Sequence, residues 1–380
     1  MTLSNSGGCT QVTKRARSLL QIPQGTEGFY LEEAYRHRKL TAQIEQTMYN
    51  WGYLPVQTPV FDFFDVYEPF YSGSDERRIY RLIDREGDLL LLRSDITLFL
   101  ARQMGMVLTD EDLPTRVCYF DTILRHQDAE DISKNEFFQA GAELIGLAGV
   151  DGDLEIILLM QEVLSQLPLP AHRCHIGSRA IADAALSSVP IPEQSRARRL
   201  IAMRDRAGLK RLLRAASYDD RRAEYLCDLF GLIGERSDLE SVRAAGAKHS
   251  FIDEMTEREI EYLSAIFSQL GELGLEDGIR VDLSEIGAQS YYTGTVFQVY
   301  MDGQDSSVAS GGRYDKLLDA FGFSAPSVGF STMLRRIQSA LTKPALYNPS
   351  REPEPVSGPN FVDRYRSASA IRASGRSAIL

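Results

Sequence analysis

The sequence predicts an α+β protein with a mainly antiparallel sheet, flanking helices and a helical insertion. Two apolar runs with polar residues at alternate positions, 116–127 and 136–146, are joined by a polar loop and predict an antiparallel strand pair. A second strand-rich stretch begins at Val281. Between them, residues 173–278 have helical periodicity and many charges. We therefore expect a core made of two separate parts of the chain.

The composition limits the kinds of protein that fit. The 380 residues, 43% of them hydrophobic and 25% charged, suffice for one large core and a smaller subdomain. No apolar run reaches the roughly 18 residues of a membrane-spanning helix, and no apolar signal region follows Lys14, Arg15 and Arg17. The four cysteines are scattered without a CxxC pair, which suits a reducing compartment. We expect a cytoplasmic protein that does not contact membranes.

The net charge argues against tRNA as a partner. It is -11, from 42 basic and 53 acidic residues, whereas tRNA binding usually needs a basic surface. A local basic run comprises Arg196, Arg198, Arg199, Arg204, Arg206, Lys210, Arg211 and Arg214. At helical spacing the run covers most faces of one or two helices, which favours a solvated surface or a protein contact over nucleic acid.

The N-terminal third predicts a helix, an edge strand and a hairpin. The helix covers Glu32 to about Asn50, and its apolar positions are Leu40, Ile44, Thr47 and Met48. A glycine stop at Gly52 precedes an extended segment that ends at Pro59. Because proline has no amide donor, this segment suits an edge or an interface. Residues 79–83 and 88–92 then predict a hairpin.

The hairpin leads into Asp95 and Thr97. A carboxylate and a hydroxyl at this spacing can accept hydrogen bonds from a ligand ammonium group. They can equally mark a helix start, with Ser94 or Asp95 as the cap of a helix that runs through Met104. The two interpretations are compatible.

A metal site is not expected near His172, Cys174 and His175. On a strand, the first two side chains share one face and the third points to the other face. Two ligands do not form a closed site.

The C-terminal part predicts strands and then helices. Residues 291–300 form a β-rich run, 308–315 a hairpin return, and helices are expected over Lys316–Phe321 and from Ser327 to Leu341. Residues 343–380 are rich in Pro, Ser and Arg without sustained periodicity, which predicts a mostly disordered tail.

In this order, the segments resemble the core of class II aminoacyl-tRNA synthetases in its histidyl-tRNA synthetase form. Residues 51–62 resemble motif 1, which builds a homodimer interface, and residues 116–146 resemble motif 2. The Tyr-Tyr-Thr-Gly and Gly-Gly-Arg-Tyr-Asp elements and motif 3 follow. The resemblance covers roughly residues 20–342 and implies a first core part at 1–172, an insertion at 173–278 and a second core part at 279–342, followed by the tail at 343–380.

The resemblance also implies a pocket for histidine. Its lining residues would be Asp95 and Thr97 at the ligand amino group, Arg125 at the carboxylate, Gln139 and Glu143 at the amino or imidazole side, and Tyr291 and Tyr292 at the ring. Asp95 is one methylene shorter than the family's glutamate.

Three departures from the synthetase pattern concern ATP. Gly287 stands where a synthetase arginine reaches the α-phosphate, and the motif 2 loop 128–135 is acidic rather than arginine-rich. In motif 3 a glycine is replaced by Met333, and of its charged residues only Arg336 is kept. Because positive groups must meet phosphate charge during activation, these changes argue against aminoacylation.

The pattern therefore resembles the regulatory-subunit family of ATP phosphoribosyltransferase, which consists of histidyl-tRNA synthetase paralogues without aminoacylation activity. The resemblance implies a non-catalytic protein without cofactor or metal. It implies a homodimer within a hetero-oligomer with a short catalytic subunit, which requires it for activity, and histidine feedback at the first step of histidine biosynthesis. The alternatives are a stand-alone amino-acid sensor, an active histidyl-tRNA synthetase, against which Gly287 argues, and an inherited fold with an empty pocket.

Overall fold

The computed structural model describes residues 23, 25–26, 28–71, 76–127, 134–348 and 354–380. The basic residues at 14–17, Cys9 and most of the acidic loop, 128–133, lie outside these ranges. The chain divides into two compact units. The larger contains residues 23 and 25–26 and the described part of 44–342, and the smaller contains 28–43 and the described part of 343–380.

The strands, in chain order, are β1 (Leu54–Pro55), β2 (Phe61–Phe63), β3 (Arg81–Ile83), β4 (Leu89–Leu92), β5 (Thr115–Leu124), β6 (Glu136–Ile145), β7 (His172–Ser178), β8 (Ile233–Gly234), β9 (Ile279–Asp282), β10 (Thr295–Met301), β11 (Ala309–Arg313), β12 (Ser327–Met333), β13 (Glu354–Pro355) and β14 (Ala378–Ile379). The helices are α1 (Leu31–Asn50), α2 (Phe64–Tyr67), α3 (Ile96–Val107), α4 (Val150–Ser165), α5 (Arg179–Ala185), α6 (Ile191–Ala202), α7 (Arg206–Ala215), α8 (Asp220–Leu229), α9 (Arg236–Lys248), α10 (Glu254–Glu272), α11 (Leu334–Ala340) and α12 (Phe361–Ala373). Among the described residues, no helix is both long enough and apolar enough to cross a lipid bilayer.

A nine-stranded sheet forms the larger unit, in the order β1-β5-β6-β12-β11-β10-β7-β9-β8. Among the described residues of this sheet, the β1/β5 and β7/β9 pairs are parallel and the other pairs are antiparallel. The β5/β6 pair runs in register from Thr115 opposite Ile145 to Leu124 opposite Glu136, and β12 pairs with both β6 and β11. The predicted mainly antiparallel sheet and the motif 2 strand pair are confirmed.

The motif 1 segment folds as its sequence predicts. The predicted apolar positions of α1 are buried, and the helix ends at Asn50. Gly52 follows with φ 83°, a left-handed conformation that glycine adopts without steric cost. β1 then lies at the edge of the large sheet, as Pro59 and the short extended segment indicated.

The predicted hairpin is also present, as β3 and β4, and β2 completes a three-stranded sheet. Arg93, just after β4, is almost fully buried. Its Nε donates to the Thr122 carbonyl at 2.9 Å, its Nη1 donates to the Thr58 carbonyl at 2.7 Å, and its Nη2 pairs with Asp121. Arg93 thereby joins the motif 1 segment and β5 to the end of β4.

The insertion begins later than its predicted boundary at residue 173. β7 lies inside the large sheet between β10 and β9, and helices occupy most of the chain from Arg179 to Glu272. The alternate residues Cys174 and Ile176 of β7 are fully buried, as expected of a strand that belongs to the core sheet. The whole insertion belongs to the larger unit.

The C-terminal core differs from the prediction in three places. Residues 291–294 form a loop before β10, and the expected helix at 316–321 is only a 3-10 turn over Leu318–Phe321. Residues 327–333 form β12 rather than the start of a helix, and α11 begins at Leu334. Hydrogen bonding to strands on both sides outweighs the local helical pattern of 327–333.

The tail also differs from the mostly disordered segment that we expected. Within its described part, β13 and β14 pair in parallel, and α12 covers Phe361–Ala373. Asn360 caps this helix by accepting the Asp363 amide at 2.9 Å. The prolines of the tail end at Pro359, so none interrupts the helix.

Candidate ligand-binding site

All seven residues predicted for the pocket line one cavity of about 210 Å³ in the larger unit. Asp95 is the residue before α3, Thr97 lies in its first turn, and Arg125 directly follows β5. Gln139 and Glu143 belong to β6, and Tyr291 and Tyr292 to the loop before β10. An apolar cavity of roughly 150 Å³ accommodates benzene, so this cavity has room for a small ring that carries polar groups.

Glu143 is the most enclosed acid of the cavity. Its Oε1 accepts the Thr97 hydroxyl at 2.7 Å, and its Oε2 accepts the Tyr314 hydroxyl at 2.6 Å. The side chain is 1% exposed. Burial raises the pKa of Glu143 to about 8, although the two hydroxyl donors oppose the shift. The carboxyl group is therefore mostly protonated at neutral pH.

Asp95 has two roles in the structure. Its Oδ1 accepts the Leu98 amide at 3.0 Å, so Asp95 caps α3, as one of the two interpretations predicted. Its Oδ2 accepts the Tyr291 hydroxyl at 3.1 Å at the cavity wall. Burial raises the pKa of Asp95, while the Leu98 amide and the charge of Arg125 oppose this. A carboxylate can accept further hydrogen bonds beyond these two.

Arg125 brings a positive charge to the cavity. Among the described residues, its side chain has no hydrogen-bond or ion-pair partner, and its Nε is buried. The guanidinium lies 5.7 Å from the centre of the Phe137 ring. Arg125 is also the only lysine or arginine among the described residues that line the cavity. It is thus available to an anionic group of a ligand.

Aromatic rings form a second wall. The Tyr291 ring lies edge-on to the Tyr292 ring at 5.3 Å and to the Tyr314 ring at 5.9 Å. Gln139 Nε2 lies 3.7 Å from Met333 Sδ, and both residues line the cavity. The rings and the methionine leave a partly apolar space between the charged groups.

Three residues that matter to the site were not predicted from the sequence. The Tyr314 hydroxyl reaches Glu143 from 171 positions away in the chain. Gly329 lies opposite Glu143 in the β6/β12 pair, and a Cβ there would overlap the Glu143 carboxyl group. Arg313 forms a buried ion pair with Asp153 at 2.6 Å. Arg313 and Tyr314 are both part of the Gly-Gly-Arg-Tyr-Asp element of the sequence. No local pattern identifies their partners, because those lie far away in the chain.

The cavity wall at Gly287 is closed to large side chains. Gly287 has φ 75°, and a Cβ at this position would overlap the Tyr292 ring and lie 3.0 Å from Val296 Cγ1. Met333 lines the cavity, as its position in motif 3 suggested. Arg336 Nη1 donates to the Ser307 carbonyl at 2.7 Å. The backbone around Gly287 therefore has no room for an arginine in this conformation.

The basic run and the histidines have internal contacts. Six of the eight basic side chains between Arg196 and Arg214 form ion pairs with acidic residues, which offsets the positive charge expected of a nucleic-acid surface. His175 Nδ1 lies 2.8 Å from Asp282 Oδ2. In the part of the chain that the structure describes, no three His, Cys, Asp or Glu residues are arranged to hold a metal ion.

Comparison with known proteins gives the family. The family model described as histidyl-tRNA synthetase matches residues 25–337. A protein of Moorella thermoacetica, described as an ATP phosphoribosyltransferase regulatory subunit, is 33% identical over 320 residues, covering 84% of this chain and 81% of the relative. This chain belongs to the ATP phosphoribosyltransferase regulatory subunit family. A second family member, from Syntrophotalea carbinolica, is 30% identical over 361 residues, covering 93% and 83% of the two chains.

Solved structures agree with this family. A Bacillus halodurans protein described as an ATP phosphoribosyltransferase regulatory subunit/histidyl-tRNA synthetase superposes with a TM-score of 0.83 at 25% identity, covering 95% of this chain and 92% of that one. A histidyl-tRNA synthetase from Nostoc has a TM-score of 0.77 at 20% identity, with 95% and 85% coverage, and it supports the fold alone. The family and the class II synthetase-like fold predicted from the sequence are confirmed.

Proposed function

We propose that this protein is a non-catalytic regulatory subunit of ATP phosphoribosyltransferase and that its cavity binds histidine as a feedback effector. The observation that carries this proposal is the set of charges in one cavity. Within the described part of the chain, the Arg125 side chain has no hydrogen-bond or ion-pair partner, and two acids, Asp95 and Glu143, line the same cavity. This set complements a zwitterion that carries an additional hydrogen-bond donor.

Each part of an amino-acid ligand has a matching group. The Arg125 guanidinium has donors in a planar fork that suits a carboxylate. Asp95 and Thr97 supply acceptors for an ammonium group. Glu143 and Gln139 can bind imidazole nitrogens, and the tyrosine wall packs against a ring. A histidine molecule uses all of these groups together.

The same cavity lacks what amino-acid activation needs. Phosphate charge that develops at the reacting centre requires fixed positive groups. Arg125 is needed for the ligand carboxylate, Gly287 cannot be an arginine without moving Tyr292, and Arg336 is bonded to a backbone carbonyl. These features support a protein that has no catalytic site of its own and needs no cofactor.

We further propose that the protein forms a two-fold homodimer through residues 51–62 and joins a short catalytic subunit in the cytoplasm. The edge strand β1 is followed by exposed apolar side chains at Val60 and Phe61, and Leu54 within β1 is 69% exposed. Exposed apolar residues beside an unpaired strand edge favour a self-complementary interface.

The first experiment tests the complex. The protein is mixed with the short ATP phosphoribosyltransferase subunit of the same organism and examined by size-exclusion chromatography with light scattering, and phosphoribosyl transfer from phosphoribosyl pyrophosphate to ATP is assayed. We expect a hetero-oligomer and increased product formation. A protein that neither co-elutes nor activates at micromolar concentration would contradict the proposal, and histidine binding without co-elution would instead favour a stand-alone sensor.

The second experiment tests the ligand. Arg125→Ala should weaken histidine binding by about 1.5 to 3 kcal/mol, because a charged hydrogen bond is lost. Histidine inhibition of the complex should weaken in parallel. Calorimetry measures the binding, and Arg280→Ala is the control, since Arg280 donates to backbone carbonyls near β9 and does not line the cavity. Unchanged binding and inhibition in Arg125→Ala would place the effector site elsewhere.

A further inference from the structure

A buried hydrogen-bond network joins the helical insertion to the cavity wall. Asp153, on α4, has no solvent exposure. Its Oδ1 accepts from Arg313 of β11 through Nε at 2.7 Å and Nη2 at 2.6 Å. Its Oδ2 accepts the Thr295 hydroxyl at 2.6 Å and the Tyr262 hydroxyl at 3.0 Å. Tyr262 belongs to α10, so the insertion contributes directly to this network.

Arg313 connects the network to both tyrosine segments of the cavity. The next residue, Tyr314, donates its hydroxyl to Glu143. The Arg313 carbonyl accepts the Thr293 amide at 2.8 Å, and Thr293 directly follows the double tyrosine. Arg313 Nη1 also lies 3.0 Å from Asp315 Oδ1, and the Asp315 amide donates to the Thr293 hydroxyl at 3.0 Å. The position of Arg313 therefore sets the positions of the cavity tyrosines.

We infer that Tyr262 is a positioning residue of the cavity, which acts through Asp153 and Arg313, and that ligand binding is coupled to α10 of the insertion. This inference rests on the proposed function, in which the cavity binds histidine.

The physical reason is the high cost of an undersatisfied buried charge. Asp153 and Arg313 are both removed from water, so each oxygen of Asp153 depends on its protein donors. Removal of the Tyr262 hydroxyl leaves Thr295 as the remaining described donor to Asp153 Oδ2. The Asp153–Arg313 pair can then change its position relative to Thr295. Such a shift changes the tyrosine positions that the ligand requires. Since coupling is reciprocal, a bound ligand must also restrain α10.

The test compares Tyr262→Phe with Tyr225→Phe in the full-length protein. Tyr225 lies on α8 of the same insertion, and its hydroxyl donates to the Val242 carbonyl at 3.2 Å, outside the Asp153 network. Calorimetry with histidine should show binding weakened about 3- to 10-fold in Tyr262→Phe, which corresponds to one net hydrogen bond. Tyr225→Phe should stay within about 2-fold of wild type.

Hydrogen exchange distinguishes a positioning role of Tyr262 from a purely structural one, because only the former makes protection of α10 depend on the ligand. Histidine should slow amide exchange over residues 254–272 in wild type and in Tyr225→Phe, and this protection should be lost in Tyr262→Phe. Wild-type affinity together with retained protection in Tyr262→Phe would overturn the inference, as would equal losses in both variants. If wild-type protein does not bind histidine, the proposed function itself fails, which is a distinct result.

Discussion

Histidine binding should release a proton from Glu143. Burial holds the pKa of this carboxyl group at about 8, so about nine-tenths of the free protein carries the proton at pH 7. An imidazole N–H that donates to the carboxyl group favours its ionised form and lowers its pKa by about 2 units. The bound state therefore holds fewer protons than the free state between pH 6 and pH 8.

The size of the effect follows from linkage. For a fall of about 2 pKa units, affinity should rise about 25-fold between pH 6 and pH 8, and about 0.8 proton should be released per ligand at pH 7. The imidazole of histidine titrates in the same range. We therefore take the ratio of wild-type affinity to that of Glu143→Gln, which keeps the shape of the side chain and removes its titration.

Calorimetry at pH 7 in phosphate and in Tris measures the proton release, because the two buffers differ in ionisation enthalpy. The wild-type heat should depend on the buffer more than the Glu143→Gln heat does. An affinity ratio that stays constant from pH 6 to pH 8, with equal buffer dependence in the two proteins, would refute this reasoning.

The unliganded protein provides an independent check. The pKa of Glu143 is raised by folding, so its contribution to stability is present below the unfolded pKa and is lost as pH rises through about 8. The free energy of unfolding should therefore fall by on the order of 4 kcal/mol from this group between about pH 4.5 and pH 8. Glu143→Gln should flatten that fall in urea titrations.

Three further predictions concern packing and chemistry. Gly329→Ala should lower the free energy of unfolding by about 2 to 4 kcal/mol in urea titrations, because its methyl group overlaps the Glu143 carboxyl, whereas Gly278→Ala, where a Cβ meets open space, should have little effect. Arg93→Met should lower the free energy of unfolding by about 3 to 5 kcal/mol, because Asp121 then loses its buried partner. The control is Arg81→Met, which breaks the exposed ion pair with Glu76 and should lower it by less than about 1 kcal/mol. The isolated protein should not catalyse histidine-dependent ATP–pyrophosphate exchange, and robust exchange by pure protein would contradict a non-catalytic role.

The sequence predicted the parts of the fold whose patterns are local. The alternation in β5 and β6 and the apolar spacing of α1 identified these elements, and the seven residues that motif order grouped together line one cavity. β12 could not be predicted as a strand, because its pairing with β6 and β11 depends on residues far away in the chain. For the same reason the Asp153–Arg313 pair, 160 positions apart, gave no sequence signal.

The close approach of Gly329 to Glu143 also restricts how β12 can enter the sheet. If β12 slipped by one residue against β6, Val328 or Phe330 would face Glu143, and neither side chain fits where a single methyl group already overlaps the carboxyl. A shifted register of β12 against β6 is therefore destabilised by a steric clash at the cavity. Chains that complete this central strand correctly complete the ligand pocket in the same step, so a folded sheet and a competent pocket should appear together during refolding.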